Sequence, residues 1–81
     1  MARTFYIDKP EDVDAAITSA QTQIHEGGGE FFYEDGQGSF SIKGVRGTFT
    51  VGVHDIAVTL TAKPFIVSYT YLTIKIREYF S

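Results

Sequence analysis

The spacing of apolar residues changes twice along this chain, and the changes divide it into recognisable segments. The first, Thr4-Phe5-Tyr6-Ile7, is aromatic and β-branched and reads as a strand. It stops at Asp8-Lys9-Pro10, because proline lacks the N–H that a sheet ladder needs. From Pro10 the period lengthens: Val13, Ile17, Ala20 and Ile24 recur at i, i+4, i+7 and i+11, with Ala16 beside them and acids or amides elsewhere. That pattern predicts an amphipathic helix over residues 10–26. Pro10 suits its first turn, and Glu11, Asp12 and Asp14 suit the positive end of its dipole. The helix is expected to stop at Gly27-Gly28-Gly29.

Beyond the glycines the period becomes two. Residues 31–33 begin a strand, residues 34–38 supply a turn, and residues 39–43 continue with Phe40 and Ile42 on one face. Gly44-Val45-Arg46-Gly47 reads as a second turn. Residues 48–53 follow, with Phe49, Val51 and Val53 alternating against Thr48, Thr50 and Gly52. His54-Asp55 turns the chain into residues 56–61, where Ile56, Val58 and Leu60 share a face. Connections this short imply an antiparallel meander with one buried side, which needs a helical layer against it.

The segment after Pro64 carries two conflicting signals. Six of the twelve residues from 65 to 76 are β-branched, which favours a strand, yet the apolar positions switch from odd to even numbers in mid-run. On a helix, Phe65, Ile66, Tyr69, Leu72, Ile76, Tyr79 and Phe80 fall on one side, the expected core face. Periodicity outweighs propensity, and a second helix is expected over residues 64–80. The fold class is then α+β: four to five antiparallel strands with an N-terminal and a C-terminal helix packed on one face. Val13, Ile17, Ile24, Phe40, Ile42, Phe49, Val51, Val58, Leu60, Tyr69, Leu72 and Ile76 are the expected core.

Length confines this architecture to one domain over residues 1–81, since two halves of 81 residues would each be too small to bury a core unaided. The 43% hydrophobic content is that of a folding chain. There is no cysteine, hence no disulfide framework, thiolate ligand or thiol nucleophile. No apolar run has the length of a signal peptide or membrane span, and a cytoplasmic location is the default expectation. The net charge of −3 is uneven: residues 1–40 carry two cations and eight acids, whereas residues 41–81 carry five cations and two acids. A mildly acidic total argues against a dedicated nucleic-acid binder, while Lys43, Arg46, Lys63, Lys75 and Arg77 of the second half keep a local basic patch open as a third reading. The two halves are expected to attract each other within the fold or across a dimer.

No nucleophile, metal or cofactor pattern stands in the sequence; paired carboxylates stay open as an alternative, although most of the acids fall on solvated helix and turn positions. Gly27-Gly28-Gly29 follows a helix and precedes a strand, the reverse of a P-loop. His25-Glu26 and His54-Asp55 lack zinc-ligand spacing, so neither a metal nor a cofactor is expected. The serines sit in no nucleophile elbow. Lys43 and Arg46 flank a tight turn and, with Lys63 nearby, are candidates for contact with an anion. The final helix holds a second apolar stripe, Val67, Tyr71 and Ile74, opposite its core face. A helix with two stripes has two partners, its own sheet and a second copy of the chain, another protein or an apolar surface; one wide core face, or a strand over these residues, is the alternative.

The stretch Phe40-x-Ile42-x-Gly44-Val45-x-Gly47-x-Phe49-x-Val51, followed by Asp55-Ile56-x-Val58 and the apolar C-terminal segment, resembles a family of small bacterial proteins. This is the polyhydroxyalkanoic acid system, or granule-region, family. The resemblance implies a short strand and helix before a small meander whose Gly-Val-x-Gly turn links two strands, with a closing helix. It also implies association with storage granules, and it brings no catalytic residues. Where that family has a His before the first helix and a Trp-x-Gly-Asp-like element, this chain has Asp8-Lys9-Pro10 and Phe31-Phe32-Tyr33-Glu34-Asp35-Gly36.

The reading is therefore a non-enzymatic binding or assembly module, with a homodimer, a granule surface or a protein as its partner. The alternative is a small enzyme, or a binder of an apolar or acyl ligand, using a cavity between the sheet and the helices.

Overall fold

A computed structural model describes residues 3–80. The chain forms β1 (Arg3–Asp8), α1 (Val13–Glu26), β2 (Glu30–Glu34), β3 (Gln37–Ile42), β4 (Val45–Val51), β5 (Asp55–Ala62) and α2 (Tyr69–Tyr79). The strands make one antiparallel sheet in the order β1-β5-β4-β3-β2. Both helices lie on one face, as the one-sided alternation of the strands requires. Phe31, Phe40, Ile42, Phe49, Ile56, Val58 and Leu60 point from the sheet into that face, and Ile17, Ala20, Ile24, Leu72, Ile76 and Phe80 meet them from the helices.

Phe49 is the centre of this layer. Its ring stacks with Phe31 at a centroid distance of 5.4 Å and with Tyr33 at 5.8 Å, and Phe80 meets it edge-on at 5.2 Å. Three aromatic contacts on one side chain join β2, β4 and the end of α2. No polar or charged residue is buried among the described residues. The opposite sheet face has no covering layer among the described residues and is largely polar, with Thr4 and Thr59 sharing a hydroxyl hydrogen bond at 2.8 Å.

Several boundaries differ from the sequence expectation for local reasons. α1 starts at Val13 and not at Pro10, because the Asp12 side chain accepts from the Ala15 N–H at 3.0 Å and caps the helix there. The turns are tighter than expected. Asp35-Gly36 joins β2 to β3 and Lys43-Gly44 joins β3 to β4, each pair with positive φ at both residues, the geometry of a two-residue hairpin. Gly38 and Gly47, expected in turns, lie instead inside strands. β4 ends at Val51, which leaves Val53 in the connection to β5 and exposed.

The largest correction concerns α2. It begins at Tyr69, not at residue 64, with Ser68 as its cap: the Ser68 hydroxyl accepts from the Tyr71 N–H at 3.1 Å. Residues 65–67 form a turn closed by the Val67 N–H on the Pro64 carbonyl at 3.2 Å. Phe65 and Ile66, expected on the core face of a helix, are therefore in solvent. Val13, Val51 and Tyr69, expected in the core, are half-buried at its margin.

Candidate functional site

The second stripe survives in part. Tyr71 and Ile74 lie three residues apart on α2 and are 55% and 54% exposed. Val67 does not join them: it precedes the helix and packs half-buried against the core. Its place in the apolar surface is taken by two residues assigned from sequence to the core, Phe65 at 96% exposure and Ile66 at 91%. The change follows from the Ser68 cap. Starting the helix at Tyr69 releases the preceding segment from helical winding and leaves Phe65 and Ile66 at the tip of a turn.

Between α2 and the β3–β4 hairpin runs an apolar groove of about 290 Å³. Ile42 and Val45 line it from the sheet, Leu72 and Ile76 from α2, and Val67 from the segment before the helix. Tyr71 and Pro64 border the same groove, so the turn carrying Phe65 and Ile66 is continuous with it. Two cations, Lys43 and Lys75, complete the rim. Lys75 reaches Glu78 at 3.4 Å, whereas Lys43 meets no partner among the described residues.

Two of the three expected anion contacts are brought together and the third is not. Lys43 and Arg46 border a shallow open depression of about 560 Å³ on the uncovered sheet face. Lys63 turns the other way, with its ammonium 5.1 Å from the centre of the Tyr69 ring and 3.3 Å from the Pro64 carbonyl. Arg3 lies 5.1 Å from the same ring. Tyr69 thus gathers two cations from β1 and the β5–α2 connection beside the start of α2.

His25 lies in the last turn of α1 and His54 in the β4–β5 connection, both exposed. Among the described residues no three His, Cys, Asp or Glu side chains cluster as a metal site. The ion pair seen among those residues, Lys75 with Glu78, lies within α2 and joins no acid of the first half to a cation of the second. The attraction expected between the halves is therefore not made through ion pairs among the described residues.

No helix among the described residues is long and apolar enough to cross a membrane. No protein family, curated protein or solved structure matches the chain.

Proposed function

We propose that this protein is a non-enzymatic binding module that docks on an apolar surface through the turn at residues 65–66 and the outer side of α2. The observation that carries this reading is the near-complete exposure of Phe65 and Ile66. Two adjacent large apolar side chains at a turn tip make no core contact, so their presence stabilises nothing in the isolated fold. Burying each in an apolar medium is worth about 1.5–3 kcal/mol before the costs of association are subtracted. Tyr71 and Ile74 extend the same surface along α2.

A protruding pair is shaped to enter a deformable apolar phase. Lys43 shares the groove border with Pro64 beside this turn, and its ammonium, unpaired among the described residues, suits the anionic boundary of such a phase. The surface we propose is that of a polyhydroxyalkanoate storage granule, in keeping with the sequence resemblance of residues 40–58. Retention on polyhydroxybutyrate particles coated with anionic lipid tests the reading. The double variant Phe65→Ser, Ile66→Ser keeps the fold and loses at least about tenfold in particle binding; undiminished retention contradicts the reading.

A further inference from the structure

We infer that the groove between α2 and the β3–β4 hairpin is a binding site for a free medium-chain carboxylate, with the chain lying along Val45, Val67, Leu72 and Ile76 and the head group at Lys43. The groove adjoins the docking turn and shares Lys43 and Tyr71 with that surface, but carboxylate binding there does not require Phe65 or Ile66.

Three observations converge. The groove is apolar along its length and has a volume of about 290 Å³, at the small end for ligand sites. The space is of the order that a single short alkyl chain needs. Among its lining residues the charged ones are both cations, Lys43 and Lys75, and the other polar groups are the hydroxyls of Tyr71 and Tyr79. An apolar slot closed by a cation at its mouth is complementary to an amphiphile with an anionic head, and it disfavours both a neutral alcohol and an ammonium of the same chain length.

The third observation is the backbone at Lys43. This residue occupies the first turn position of the β3–β4 hairpin at φ 50, a left-handed conformation that Asn, Asp and Gly adopt readily and lysine does not. The equivalent position of the β2–β3 hairpin is Asp35, at φ 51, a residue type suited to it. The chain therefore accepts backbone strain at the one hairpin that borders the groove. The ammonium placed there has no protein partner among the described residues. Lys75 is shared with Glu78 in an exposed pair, which leaves Lys43 as the principal head-group contact.

The test is an NMR titration of the whole chain with octanoate and decanoate below their micellar concentrations, at low salt. Saturable shifts are expected at Val45, Val67, Leu72 and Ile76, with affinity rising about fourfold per methylene from hexanoate to octanoate. Octanol and octylammonium should bind several-fold more weakly than octanoate. Lys43→Asn removes the charge with a residue that suits the turn, and weakens octanoate binding by about two- to fivefold. Val67→Trp, at a half-buried position outside helix and sheet, fills the groove and abolishes saturable binding; if that variant loses its fold, the Lys43→Asn and octylammonium comparisons still decide.

Phe65→Ser with Ile66→Ser leaves carboxylate binding unchanged, which separates this site from the docking surface. Shifts centred on residues 65–66, equal binding of octylammonium, or an affinity unaffected by Lys43→Asn would each overturn the assignment.

Discussion

Phe40 on β3 and Gly47 on β4 are cross-strand partners, and the Phe40 ring occupies the space that a side chain at residue 47 would need. A Cβ there would lie 2.6 Å from Phe40 Cζ and 2.9 Å from the Thr59 carbonyl. The relationship is reciprocal two residues along, where Phe49 of β4 lies over Gly38 of β3. Each strand thus offers one ring and one bare stretch of backbone to the other. This pairing explains why the chain needs Gly47 in a strand interior, where glycine is otherwise unfavourable.

Gly47→Ala is accordingly expected to lower stability by about 1–3 kcal/mol through overpacking against a ring and a backbone carbonyl. The urea midpoint should fall with little change in slope. Gly28→Ala is a poor control because Gly28 has φ 85, so Thr50→Ala, on the exposed sheet face, is the better one and should move the midpoint much less.

The start of α2 rests on Ser68. Replacing it with Ala removes the acceptor for the Tyr71 N–H and should lower stability by about 1 kcal/mol, with loss of amide protection confined to the first turn of the helix. Ser68→Asp should restore the cap. If Ser68→Ala instead leaves protection at Tyr71 unchanged, the helix does not begin where the cap places it.

Arg77 ties the same helix to the sheet edge. Its guanidinium Nη2 donates to the Tyr6 carbonyl of β1 at 3.1 Å, across an edge strand that would otherwise offer this acceptor to another chain. Arg77→Ala should increase concentration-dependent self-association in sedimentation, with Arg77→Lys intermediate because an ammonium reaches the carbonyl as a single donor. An unchanged sedimentation coefficient across the concentration range would show that the contact does not guard the edge.

Much of the architecture was legible because it rests on periodicity. The i, i+4, i+7, i+11 series of Val13, Ile17, Ala20 and Ile24 placed α1, and the alternation around Phe40, Phe49 and Val58 placed the buried face of the meander. Turn glycines were harder. Gly36 and Gly44 do form turns with positive φ, but Gly38 and Gly47 stand in strands because of the rings opposite them, and a cross-strand partner cannot be read from neighbours in sequence. Asp35-Gly36 could have been recognised as a two-residue turn from its residue types alone.

The exposed apolar surface was legible only in part, for a related reason. Winding residues 64–80 as one helix put Phe65 and Ile66 inside and Val67 outside. The Ser68 hydroxyl decides otherwise, and serine after a β-branched run is a cap signal that the apolar period overrode. Tyr71 and Ile74 were identified because they lie beyond the cap, where the winding is helical. The groove left no such signature, since it arises from the distance between α2 and the β3–β4 hairpin.

The central claim, that residues 65–66 enter an apolar phase, is tested most directly by a fluorescent reporter at the tip itself. The chain has no tryptophan, so Ile66→Trp introduces a single indole, excited selectively over the five tyrosines, at a position that is 91% exposed. In buffer its emission should be that of a solvated indole. On addition of lipid-coated polyhydroxybutyrate particles the emission should shift to the blue and become protected from an aqueous quencher, while Thr50→Trp, with its indole on the uncovered sheet face, keeps a solvated spectrum. An Ile66→Trp variant whose indole emission stays solvated on bound particles would contradict the account.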